Sequence, residues 1–163
     1  MEKTIIDNFL PEDIFKSIKS MFFRHDFPWF FAETTVKENI MSCNKLDNYQ
    51  FHHTFYEHNQ RVSNWNILPL IEYLKINAIV KIKANLNNRT EKIIKHGYHT
   101  DNKLDCKTAI YYVNSNNGFT EFDDGTIVES VENRVLIFNS KLFHTGTTCT
   151  NKKRRIVVNL NYF

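Results

Sequence analysis

The first hydrophobic pattern in the chain is helical. Ile14, Phe15, Ile18, Met21 and Phe22 recur at i, i+1, i+4, i+7 and i+8, which is one apolar stripe on a helix over 11–23. Pro11 suits the first helical position, where its missing N–H leaves no bond unmade. Glu12 and Asp13 then sit at the positive end of the helix dipole. Pro28 breaks the pattern after the helix, and Trp29-Phe30-Phe31 reads as the start of a buried strand. The stretch 37–62 is polar and irregular. A second helix is predicted over 67–76, with Leu70, Ile71 and Leu74 inward and Pro69 in its first turn.

From residue 78 the period changes to two. Residues 78–86, 107–113, 119–122, 134–138 and 155–163 alternate, or nearly alternate, apolar and polar positions. Turn signals separate them: Asn114 to Gly118, Asp123-Asp124-Gly125, and Glu132-Asn133. Short strands with such punctuation argue for an antiparallel sandwich or barrel. All three prolines lie in the first half, and all four glycines lie between 97 and 146. No polar linker separates the halves. The pattern predicts one α+β domain over 1–163, with a helical flank over about 1–77 and a β-core over about 78–163.

Composition narrows the partners. At 163 residues, two domains would each be short of core. The chain is 42% hydrophobic and 14% aromatic, enough apolar surface to fold. A formal charge of +3 gives no case for nucleic acid by itself. No apolar run approaches the roughly 20 residues of a membrane span, and MEKTIIDNF lacks a signal-peptide pattern. Cys43, Cys106 and Cys149 are odd in number and far apart, which predicts neither a disulfide framework nor a thiolate zinc site. Cytoplasm is the default expectation, with no membrane partner.

The candidate chemistry begins at His99-Thr100-Asp101. In an extended segment, residues i and i+2 point to the same face, so an imidazole and a carboxylate can bind one ion from adjacent directions. On its own the tripeptide reads first as a surface turn in which the acid accepts a hydrogen bond. His144, after the apolar strand Val135 to Phe138, is the candidate third ligand. Two histidines and one carboxylate with open positions opposite suit non-haem Fe(II) and O2. Arg155 opens the last strand. A basic side chain inside a β-sandwich needs an anion, and guanidinium pairs a carboxylate through two parallel bonds. If it faces inward, Val157, Asn159 and Asn161 share its face, and it would hold the far carboxylate of a metal-chelating diacid. Lys152, Lys153 and Arg154 read instead as a solvated charge run.

The order HTD at 99–101, YYVN at 111–114, NGFTEF at 117–122, VLIFNSKLFH at 135–144 and RIVVNLNYF at 155–163 resembles the 2-oxoglutarate/Fe(II)-dependent dioxygenases, in texture their prolyl-hydroxylase-like branch. The resemblance covers about residues 93–163. It implies a double-stranded β-helix, a jelly-roll or cupin-like β-sandwich, with the N-terminal helices packed on one sheet. It implies that His99, Asp101 and His144 bind Fe(II). It implies that Arg155 pairs with the C5 carboxylate of 2-oxoglutarate and that the Tyr112 hydroxyl contacts the same group. The implied activity uses O2 to hydroxylate a C–H bond of a peptide residue or small molecule, releasing succinate and CO2. Many relatives have two glycines where this chain has Asn117-Gly118, a departure at a strand turn.

Two other readings remain at this point. The same set of two histidines and a carboxylate suits a hydrolytic zinc enzyme, which gives Arg155 no role. A non-catalytic β-sandwich could use the 152–155 run and the aromatics to bind a partner. Among the other histidines, His96 reads as an exposed residue on the opposite face from His99, with a cleft role open. His52, His53 and His58 read as structural or surface residues, and His25 as a helix C-terminal charge. Lys81, Lys83 and Asn85 share one face; Lys81 reads as solvent-facing, and Lys83 and Asn85 are left open.

Overall fold

The computed structural model describes residues 2–163. In chain order its main elements are β1 (Thr4–Ile6), α1 (Glu12–Phe23), β2 (Phe30–Ala32), β3 (Gln50–Glu57), β4 (Gln60–Arg61), α2 (Leu68–Tyr73), β5 (Ile79–Asn88), β6 (Lys107–Tyr112), β7 (Phe119–Phe122), β8 (Ile127–Glu129), β9 (Arg134–Asn139), β10 (His144–Gly146) and β11 (Arg154–Tyr162). Two antiparallel sheets face each other. The larger runs β1-β9-β6-β11-β5-β3-β2, with β4 on β3; the smaller runs β10-β7-β8. Isolated bridges Lys95↔Thr147 and His99↔His144 lay the 95–99 segment along β10.

The two faces of the larger sheet have different chemistry. On β5, Ile82, Ala84 and Leu86 point to one side; on β11, Ile156, Val158, Leu160 and Tyr162 join them in a core shared with the helices. Helix α1 supplies Phe15, Ile18, Met21 and Phe22, the stripe its sequence predicts. Phe22 is wholly buried, so its truncation to Ala should cost about 3–5 kcal/mol. Pro11 lies one step before the predicted position, at the N-cap, where its carbonyl accepts the Phe15 N–H at 2.8 Å. A second, smaller core lies between the sheets, built from Ile110, Tyr112, Phe122, Val128, Leu136, Phe138 and Val157.

Three expectations need correction. The 37–62 stretch is not irregular throughout, because β3 pairs with β5 in the larger sheet. Its pattern was hidden because Gln50 lines a cavity, while Phe51 and His53, packed among aromatics, share the other face with Phe55. Phe30 and Phe31 form the edge strand β2, yet both are more than half exposed. Lys81 is only partly solvent-facing, and its ammonium is paired with Glu57. With Lys83, Asn85 and Asn87 it lines the cavity between the sheets.

Candidate metal centre

The cavity is about 200 Å³ and opens between the two sheets. Its polar floor is the inward face of β5 and β11, including Lys83, Asn85, Asn159 and Asn161. Such a face would be destabilising in an ordinary core, since buried polar groups need partners. The alternation on β11 is as the sequence predicts: Arg155, Val157, Asn159 and Asn161 face the cavity, and the residues between them face the core.

His99, Asp101 and His144 converge at the cavity wall, with one ligand atom from each lying within 4.8 Å of the others. Asp101 Oδ1 is 3.7 Å from His99 Nε2 and 3.6 Å from His144 Nε2. The backbone sets the ring nitrogens that meet there. His99 Nδ1 lies 3.1 Å from the Gly97 carbonyl, and His144 Nδ1 lies 3.1 Å from the Leu142 carbonyl. A carbonyl only accepts, so each Nδ1 donates, and in the neutral ring Nε2 is the nitrogen whose lone pair faces Asp101. Burial holds the His144 ring below its ordinary value, with the Asp101 carboxylate opposing it. Two imidazole lone pairs and a carboxylate oxygen on one side, with cavity on the other, fit a divalent metal with open positions.

Asn161 was not anticipated as a support for this set. Its amide nitrogen donates to Asp101 Oδ2 at 3.4 Å and to Thr108 Oγ1 at 2.8 Å. Asp101 Oδ2 is thereby held, and Oδ1 is left for an ion. The available signal was the two-residue period of β11, which places Asn161 on the Arg155 face.

Arg155 lies inward and is 3% exposed. Its Nε donates to Ser130 Oγ at 2.8 Å and its Nη2 to Thr120 Oγ1 at 3.3 Å. These partners are neutral hydroxyls, and no carboxylate of the described residues lies within 4 Å of it. Burial therefore lowers its proton affinity, opposed by the Tyr112 hydroxyl and the Cys149 thiol but by no carboxylate. The side chain runs close over Gly118, where a Cβ would stand 2.6 Å from Arg155 Cδ. A buried guanidinium satisfied only by hydroxyls is a receptor for an anion.

Tyr112 lies against that cation rather than in the open cavity. Its ring is 5.8 Å from the guanidinium carbon, and its hydroxyl donates to Thr120 Oγ1 at 2.9 Å. Thr120, which the sequence did not single out, lines the cavity and touches both. Burial raises the Tyr112 hydroxyl, which stays protonated and a donor.

His96 corrects a further expectation. It is 2% exposed and lines the cavity. The regular two-residue period fails because Gly97 adopts φ +151°, and a Cβ there would stand 2.1 Å from the Ile40 carbonyl oxygen. The Asn87 amide nitrogen lies 3.3 Å from His96 Nε2. Burial first, and the Arg155 charge second, push His96 down to about 4. His53 is structural, held between the Pro28 carbonyl at 2.9 Å and Ser63 Oγ at 2.7 Å. Cys43, Cys106 and Cys149 are free thiols, and Lys152 and Lys153 are exposed. Among the described residues, no helix is long and apolar enough to cross a membrane.

No protein-family model and no curated protein matches the sequence. Solved structures do match the fold. A prolyl-4-hydroxylase from Pseudomonas putida aligns over 98% of this chain and 91% of its own, with TM-score 0.63 and 15% identity. A viral collagen prolyl hydroxylase from Paramecium Bursaria Chlorella virus-1, solved with 2OG, aligns over 99% and 95%, with TM-score 0.61 and 12% identity. A 2OG-Fe(II) oxygenase family oxidoreductase from Burkholderia pseudomallei aligns over 98% and 84%, with TM-score 0.68 and 11% identity. Nearly the whole chain therefore has the fold of solved 2OG-Fe(II) oxygenases.

Proposed function

We propose that the protein is an Fe(II)- and 2-oxoglutarate-dependent dioxygenase that hydroxylates a C–H bond of a peptide residue or small molecule. One observation carries this reading. The His99-Asp101-His144 set and the acid-free cation Arg155 line the same cavity. The fold likeness to oxygenases supports it, as does the distribution of strands from β5 to β11 over two facing sheets, which suits a double-stranded β-helix.

In this reading His99, Asp101 and His144 hold the iron, and bound Fe(II) with 2-oxoglutarate and O2 supplies the oxidising chemistry, releasing succinate and CO2. The other residues position and charge-match. Arg155 receives the C5 carboxylate of 2-oxoglutarate, with Thr120 and Tyr112 fixing the guanidinium plane. Asn161 fixes the Asp101 rotamer. The two backbone carbonyls at Gly97 and Leu142 fix the imidazole tautomers. Arg155 and His144 are buried from water, which strengthens their charge contacts.

A zinc hydrolase fits less well. Such an enzyme needs a general base near the metal. Among the described residues, Asp101 is the one carboxylate lining the cavity, and it is committed to the metal set. Calorimetry on the Zn(II)-loaded protein tests the proposal: 2-oxoglutarate should bind, and binding should be lost in Arg155→Gln. Absence of binding in the unmodified protein would overturn it.

A further inference from the structure

We propose that Lys83 is the binding site for an anionic group, a carboxylate or a phosphate, on the primary substrate. The inference rests on the oxygenase reading and concerns the part of the cavity that reading leaves unassigned. Lys83 lies in the middle of the cavity floor. On β5 it pairs with Asn159 of β11 on one side and Thr54 of β3 on the other. It is half-buried, and burial is the main influence lowering its proton affinity. Among the described residues no carboxylate lies within 4 Å of its ammonium group, whereas its neighbour Lys81 is paired with Glu57.

The charges of the loaded site single Lys83 out. A divalent metal is matched by Asp101 and by the metal-side carboxylate of 2-oxoglutarate. The far carboxylate is matched by Arg155. The Lys81 ammonium is matched by Glu57. His96, buried on the cavity wall and pushed down to about 4, stays neutral. Lys83 is then the cation without a counter-charge, and an unpaired charge in an enclosed site is costly. Arg155 pairs with Asn87, four residues along β5 from Lys83 and so about 13 Å away at the strand rise. The two cations are thus rooted far apart, and Lys83 serves a different anion. Beside it, Asn85 Oδ1 and Asn159 Oδ1 are buried without partners. These oxygens would accept N–H or O–H groups next to the anion, as in an amino or hydroxy acid.

The test uses the full-length protein loaded with Zn(II) and saturating 2-oxoglutarate. Acetate, inorganic phosphate and neutral acetamide are titrated while the lysine ammonium resonances are followed by NMR, with Lys83→Met identifying the Lys83 signal. Expected is saturable binding of acetate or phosphate, with dissociation constants on the order of 1 mM, and none of acetamide. The anion that binds identifies the substrate group. Lys83→Met should weaken that binding at least tenfold, leave 2-oxoglutarate affinity unchanged and melt at the same temperature, while Lys83→Arg should retain it. The proposal is overturned if neither anion binds, if Lys83→Met binds it equally, or if Lys83→Met loses 2-oxoglutarate instead. Failure of the unmodified protein to take up 2-oxoglutarate would be a failure of the oxygenase reading, seen before any anion is added.

Discussion

His99 and His144 exchange backbone hydrogen bonds: the His99 N–H donates to the His144 carbonyl at 2.9 Å, and the His144 N–H donates to the His99 carbonyl at 3.0 Å. Residues so paired across antiparallel strands project to the same side. Their rings lie 4.8 Å apart between centroids. Asp101, two residues from His99, brings the carboxylate to the same face. Two imidazoles 45 positions apart in sequence are therefore fixed side by side by main-chain bonds.

Asn161 should prove to be a positioning residue for the metal. Asn161→Ala removes the donor to Asp101 Oδ2 and lets the carboxylate rotate. Metal affinity, measured by competition with a chelator, should fall about 10- to 100-fold, the usual effect of losing an outer partner of a ligand. The melting temperature should fall by a few degrees, because the buried Thr108 hydroxyl also loses its partner, so affinity is compared where both proteins are folded. Unchanged affinity would show that Asp101 is held by something else.

Arg155→Met should separate stability from binding. The apo protein holds a guanidinium with hydroxyl partners and no acid, so replacing it by an apolar chain should leave the melting temperature equal or higher. Metal-loaded wild type should gain about 2.7 kcal/mol from 2-oxoglutarate at a hundred times its dissociation constant. Arg155→Met should gain none. A marked drop in apo stability would show that the Ser130 and Thr120 bonds outweigh the buried charge.

Acid should destabilise the metal-free protein through its buried histidines. His96 is pushed down from 6.5 to about 4, so the unfolded chain takes up a proton that the folded chain refuses. Its contribution to stability is full above pH 6.5 and is lost as pH falls toward 4, by about 3 kcal/mol across that window. Burial lowers His52, His53 and His144 as well, and they add in the same direction. Denaturant melts with EDTA at several pH values should show a shallower acid loss in His96→Gln. An identical profile would contradict the placement of His96.

Much of this arrangement was legible in the chain. The stripe of α1 and the alternation of β11 report apolar faces against a core, and that pattern is local. The convergence of His99, Asp101 and His144 was legible because a two-residue spacing and a histidine after an apolar strand are also local. The missed parts depend on distant partners. β3 read as irregular, and Lys81 on β5 as solvent-facing, because the cavity they line is itself polar. His96 was misplaced because Gly97 breaks the strand period, and only the nearby Ile40 carbonyl explains why glycine is needed there. Thr120 and Ser130 carry no signal of their own; they matter because Arg155 reaches them.

Gly97→Ala should disturb both fold and site. A methyl group would strike the Ile40 carbonyl and force a residue with a side chain to φ +151°. The cost should be about 3 kcal/mol or more. Because His96 and His99 flank the turn, metal affinity should fall with stability. Thermal melting and chelator competition on the same sample check both, and a variant with normal metal binding would show that the His99 bridge alone sets the ligand geometry.

Succinate released from 2-oxoglutarate under air tests the central claim most directly. Wild type with Fe(II) should produce it, the yield should vanish with chelator, and Asp101→Ala and Arg155→Gln should each reduce it to background. Production that persists in Asp101→Ala, or none from iron-loaded wild type that remains folded, would contradict the account.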